Sequence, residues 1–251
     1  MTQKHLLFLA TAGFIVLTAC NLATVTPTSQ VDLLSATAPS PTQPEPASAT
    51  QTRFATPAST STPYPLYFTE EFNSGLSAWE SFQTGGSSSP TVKTENSTLR
   101  IEIASSHTWY YAIHNAHEYS NIIVSAKVDG SPSGSIGLVC DYNEGRGWYE
   151  FNITSDNAYS VLFGQWLAPG IAQYIPIATD ITNYLAAGDL NYEIGLTCQK
   201  NILLLHVNGK LLRKLDVSHY GLTEGRIGIT ASSFNEIPMT AFFDWVKLSE
   251  K

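Results

Sequence analysis

The chain has 251 residues and a formal net charge of −8, which is enough length for one large domain or two small ones. Residues 1–65 hold only Lys4, Asp32, Glu45 and Arg53 as charges, so the acidic excess lies wholly in residues 66–251. An acidic domain of this kind offers no basic stripe to a phosphate backbone and no polybasic grip on anionic lipid, which argues against nucleic acid as a partner.

At the N-terminus, Lys4 and His5 precede an apolar run from Leu6 to Ala10 that continues through Gly13 to Leu17. The run is too short for a comfortable membrane-spanning helix and reads as an export signal. Thr18 and Ala19 supply the small residues that cleavage wants, and they stand between Leu17 and Cys20. This "LTAC" resembles the lipobox of bacterial lipoproteins, whose cysteine is diacylated and becomes the first residue of the mature protein. The resemblance implies a signal peptide over residues 1–19, lipid attachment at Cys20, and a membrane partner reached through that anchor. The location is then the cell surface or the extracytoplasmic face of a bacterial membrane. Each buried methylene contributes roughly 0.8 kcal/mol, so two or three acyl chains hold without a protein span. An ordinary signal peptide that happens to contain Cys20 is the alternative.

Residues 20–65 follow as a lipidated cysteine and a tether. Eight of the chain's 13 prolines fall here among Ser, Thr and Ala, and apolar residues are too sparse to bury a core. The expectation is a disordered or polyproline-like spacer that carries a domain clear of the membrane.

From Leu66 the texture changes to short alternating runs broken by turn residues. In "STLRIEIA", Leu99, Ile101 and Ile103 alternate with Arg100 and Glu102, the period of a half-buried strand. "SIGLVCDYN", "WYEFNITSDNAYSVLFG", "NYEIGLTC" and "RIGITA" repeat the pattern, and Asn208-Gly209 separates two apolar runs as a hairpin turn would. Only Ile181 to Ala187 admit a turn or two of helix. About a dozen strands in this order predict an all-β fold, an antiparallel two-sheet sandwich spanning residues 66–251. Cys140 and Cys198 each end an apolar run, in "GLVC" and "GLTC". In an exported protein they are expected to pair, with two buried free thiols as the alternative.

Three stretches carry a further resemblance. "FTEEFNSGLSAWE" opens the domain, "GLVCDYNEGRGWYEFNITSDNAYSV" with "NYEIGLTCQKNILLLHVNGKLL" forms its middle, and "GRIGITASSFNEIPMTAFFDWVKL" closes it. Their order is similar to the concanavalin A-like lectin/glucanase superfamily, especially the laminarinase-like, family 16 glycoside hydrolase-like modules of bacterial lipoproteins. The resemblance implies a jelly roll of two curved sheets, adjacent first and last strands, and a concave face suited to an extended glycan. It also implies a calcium site in many members between the first and last strands, where Glu71 and Asp244 are the matching acids. Calcium wants six to eight oxygens, so backbone carbonyls and water would complete it. No other cofactor is implied.

The chain departs from the family at its catalytic motif. Retaining glucanases carry E-x-D-x-x-E on one strand, which presents two carboxylates to the cleft at the spacing double displacement needs. The nearest acids here, Glu70-Glu71 and Asp141 with Glu144, lack that alternation, so no catalytic residues are assigned and hydrolysis by that route is not expected. Sugar rings stack on flat side chains, which makes Trp109, Tyr111, Trp148 and Trp166 the ligand-binding candidates; Trp109 and Tyr111 share a strand face that Tyr110 opposes. Trp79 and Trp245 are assigned to the core. His107, His114 and His117 have no zinc-ligand spacing and read as surface residues. The leading reading is a non-catalytic binding module for a glycan or a cell-surface partner. A divergent glycoside hydrolase on the same fold and a structural lipoprotein are the alternatives left open.

Overall fold

The computed structural model describes residues 64–251. The signal segment, Cys20 and the tether as far as Pro63 lie outside the described residues. The described residues form fifteen strands and no helix: β1 (Phe68–Glu70), β2 (Trp79–Gly85), β3 (Thr91–Glu95), β4 (Thr98–Ile103), β5 (Thr108–His114), β6 (Asn121–Gly130), β7 (Gly134–Asn143), β8 (Gly147–Thr154), β9 (Ala158–Ala168), β10 (Ile171–Ile181), β11 (Tyr192–Gln199), β12 (Ile202–Val207), β13 (Lys210–Asp216), β14 (Arg226–Ser233) and β15 (Met239–Glu250). The segment after Ile181, where a helical turn was conceivable, is built of turns.

All pairings are antiparallel and divide into two sheets. One runs β13-β12-β11-β6-β15-β4-β3, with β1 joined to the other half of β15; the second runs β10-β9-β8-β7-β14-β5-β2. The first and last strands are therefore neighbours, with Glu70 opposite Val246. This is the concanavalin A-like jelly roll.

Local sequence explains the elements. In β6, Ile122, Val124, Ala126 and Val128 point inward while Asn121, Ser125 and Lys127 alternate outward, the period-two pattern of a strand buried on one face. Asn208 and Gly209 both adopt positive φ, 48° and 73°, and close a two-residue hairpin loop between Val207 and Lys210, the geometry a type I′ turn requires. The two sheets enclose the main core, and Cys140 of β7 bonds Cys198 of β11 across it, joining one sheet to the other.

The second sheet breaks the one-sided pattern. Every residue of β7 before Asn143 is buried, as is every residue of β8 before Thr154 and of β14 after Arg226. Tyr149, Phe151 and Ile153 face the main core, whereas Trp148 on the opposite face belongs to a separate apolar cluster with Tyr111, Ile113, Val139 and Tyr142. Strands buried on both sides need cover on both sides. Here the cover comes from the sheet itself. It curls until β10 at one edge touches β2 at the other, where the Tyr174 and Thr84 hydroxyls hydrogen-bond.

Candidate functional site

The concave face of the second sheet gathers all four aromatic candidates. Alternation on β5 sends Tyr110 into the main core and leaves Trp109 and Tyr111 on the concave side, where β8 adds Trp148 and β9 adds Trp166. Phe82 of β2 and Tyr174 of β10 complete the group. Phe82 stacks on Tyr111 at 4.6 Å between ring centroids and meets Trp166 edge-on at 5.0 Å, while Trp109 stacks on Tyr174 at 5.4 Å. The packing leaves Tyr111 and Trp148 with no exposed surface, so neither ring offers a face to a ligand. Trp109 and Trp166 are half-buried. Gly164 makes room for Trp148, since a Cβ there would lie 2.2 Å from the indole ring.

One acid lies beneath these rings. Glu150 follows Trp148 by two residues on β8 and so shares its face. It is fully buried and accepts hydrogen bonds from the Tyr111 hydroxyl at 2.7 Å, Trp148 Nε1 at 3.1 Å and Asn152 Nδ2 at 3.0 Å. Burial raises its pKa, against the lowering effect of those three donors. Burial first, then the neighbouring carboxylate, likewise drives the Tyr111 hydroxyl well above its usual value. Asn152, the next concave-facing residue of the strand, is buried beside it as one of the three donors.

At one end of the concave face the covering is incomplete. An opening of about 100 Å³ lies among Glu80, Phe82, Ile113, Tyr142, Trp166 and Arg226. Beside it a groove of about 430 Å³ runs between the Asn115–Glu118 loop and the Tyr142–Gly145 turn. Tyr142 and Arg226 line both. The Arg226 guanidinium lies over the Tyr142 ring at 5.0 Å and is clasped by two carboxylates, Glu80 at 3.2 Å and Glu144 at 2.7 Å. Asn115, His117, Glu118 and Asn143 complete a polar rim. Tyr142 itself is buried under Arg226, so the half-buried Trp166 is the ring that, beside a fixed fork of donors and acceptors, forms a surface on which a hydroxylated ring can stack and hydrogen-bond.

The remaining expected residues lie elsewhere. Glu71 and Asp244 are both exposed, at the same end of the β1–β15 pair. Glu71 accepts from Asn73 Nδ2 at 3.3 Å, and Asp244 from Thr98 Oγ1 at 3.5 Å. Among the described residues no three His, Cys, Asp or Glu side chains gather as metal ligands. Trp79 is buried in the core and Trp245 is half-buried. His114 corrects the surface reading. Alternation along β5 turns it inward with Tyr110 and Ala112, and it is fully buried against Tyr64, Phe68 and Trp79. Tyr64 and Pro65, assigned to the tether, stand against the domain. Tyr64 packs on Phe68, and its carbonyl lies 2.8 Å from His117 Nε2.

Sequence reading passed over Glu150, Phe82, Tyr142, Tyr174 and Arg226. Glu150 was legible as a lone acid two residues from Trp148 in an otherwise apolar strand. Arg226 carried no local signal, because its partners lie 82 and 146 residues away.

No protein-family model matches the chain, and no curated protein matches it in sequence. Solved structures share its fold. The β-glucanase of Bacillus licheniformis superposes with a TM-score of 0.53 at 14% identity, covering 74% of this chain and 98% of that one. A prokaryotic β-1,3-1,4-glucanase (lichenase) from a mouse hindgut metagenome gives 0.53 at 13%, covering 74% and 99%. A GH16 protein of the Bacteroides ovatus mixed-linkage glucan locus gives 0.51 at 9%, covering 72% and 99%.

Proposed function

We propose that the protein is a lipid-anchored, extracytoplasmic carbohydrate-binding module that takes a glycan at the end of its concave sheet and does not hydrolyse it. The observation that carries this reading is the groove over Tyr142 and Arg226 beside the half-buried Trp166. It combines an aromatic surface with fixed hydrogen-bonding groups, while the middle of the concave face is filled by the protein's own rings. A glycan is thus recognised over one or two sugar units, with Trp166 as the stacking surface and Tyr142, Trp109, Tyr111 and Trp148 as the packed bed beneath. The glucanases that share the fold make a β-glucan the first class to try. The "LTAC" motif and the intersheet disulfide support the address, since disulfides persist in oxidising compartments.

The carboxylates favour binding over hydrolysis. Glu150 is enclosed, and Glu80 and Glu144 are both engaged by Arg226, which lies between them. A retaining or inverting glycosidase needs two carboxyls facing a sugar from opposite sides.

The test is retention of the full chain, carrying Cys20→Ser to keep it free of lipid, on insoluble or gel-embedded polysaccharides, with reducing sugar assayed in parallel. Retention without release is the expected result. Release of sugar would replace this reading with a hydrolase, and retention on no glycan would leave a structural lipoprotein as the better account.

A further inference from the structure

We propose that Asp141 and Glu224 hold a calcium ion that ties the segment preceding β14 to a bulge in β7. These are not the acids that the family resemblance singled out, and the inference does not rest on the glycan reading.

Asp141 sits at a break in two ladders. The register of β7 shifts against β8 between Cys140 and Asn143, and against β14 between Arg226 and Gly228. Its backbone adopts a φ of 51°, in the left-handed region that aspartate enters more readily than most non-glycine residues. The bulge turns the carboxyl inward, leaving the residue 2% exposed, and Oδ2 is buried without a hydrogen-bond partner among the described residues. Glu150 in the same sheet shows the contrast, for its buried carboxyl receives three donors. A buried carboxylate without donors is costly to leave alone.

The neighbour is a second acid rather than a base. Glu224 is close enough that its charge adds to burial in pushing the Asp141 carboxyl up to about 7. Neither acid forms an ion pair among the described residues. Backbone packing holds Gly225, the residue after Glu224, against Asp141. Tyr119 and Gly225 exchange two hydrogen bonds, and a Cβ on Gly225 would lie 2.4 Å from the Asp141 carbonyl carbon and 2.6 Å from the Tyr142 carbonyl oxygen. The Tyr149 hydroxyl donates to the Val217 carbonyl at 3.3 Å.

Every donor here is oxygen, which suits a hard cation. Two carboxylates are few for calcium, so backbone carbonyls and water complete the shell. The affinity expected is that of extracellular modules, with Kd on the order of 10⁻⁴ to 10⁻³ M.

Thermal unfolding of the full chain carrying Cys20→Ser, in 10 mM calcium chloride and in EDTA, tests the inference. Calcium is expected to raise Tm by roughly 3–11 °C over that range of affinity. Asp141→Asn should abolish the shift. Glu224→Gln, at an exposed position where folding is not at stake, should raise the half-saturating calcium concentration about tenfold. Glu71→Gln with Asp244→Asn should leave the shift intact. The inference is overturned if calcium does not move Tm, if the shift survives both Asp141→Asn and Glu224→Gln, or if it disappears only with Glu71 and Asp244.

Discussion

Glu150 shows how a single residue can organise a face of a sheet. Three donors converge on its carboxyl beneath a layer of rings, so removing it leaves three buried donors unpaired and a void. Glu150→Ala is expected to destabilise the domain by about 3–5 kcal/mol, and Glu150→Gln, which keeps the volume, by less. Urea unfolding followed by tryptophan fluorescence measures both, and equal stability for Glu150→Ala and the parent would contradict the account. His114 makes a prediction of different sign. Burial, then the charge of His117, lowers its pKa to about 4, so the folded state takes up its proton less readily than the unfolded chain. Its contribution to stability is complete above pH 6.5 and is lost as pH falls from there toward 4. In His114→Phe, which suits a site walled by Tyr64, Phe68 and Trp79, that part of the acid-side fall in Tm should be absent.

Among the elements, the hairpins and the disulfide were readable from local chemistry. Asn208-Gly209 announces its turn because few other pairs accept positive φ at both positions. Cys140 and Cys198 announce their bond because each ends an inward-facing run. That bond closes a sequence separation of 58 residues, and breaking it by Cys140→Ala with Cys198→Ala should cost about 4 kcal/mol on the chain-entropy model. Denaturant titration of the two forms would expose an error in that figure. The curl of the second sheet was not readable. It depends on Tyr174 meeting Thr84 and Trp166 meeting Phe82, contacts between strands from opposite ends of the sheet that alternation cannot place. The same limit explains why four aromatic candidates were found on one face while their burial was not foreseen. Period-two patterning assigns a side chain to a face, but whether that face is open depends on what another strand lays over it.

On the scale of the whole molecule, the fold is shared with glucanases, and the function proposed here rests on the packing of the concave face. Among the described residues the second sheet bends over a bed of seven aromatic side chains and has an opening at the end where Arg226 joins Glu80 and Glu144. Fold alone does not choose among lectin, hydrolase and scaffold, so the choice falls to a test of the proposed site. Titration calorimetry of a glycan retained in the screen, comparing the parent with Trp166→Ala and Asn143→Ala, tests this most directly. Trp166→Ala is expected to weaken binding by about tenfold or more, as loss of a stacked ring in a partly buried site should, with a lowered Tm from its lost contacts with Phe82 and Trp148, and Asn143→Ala to weaken it several-fold with Tm changed little. Unchanged affinity in both variants would contradict the account and place the glycan on another surface of the domain.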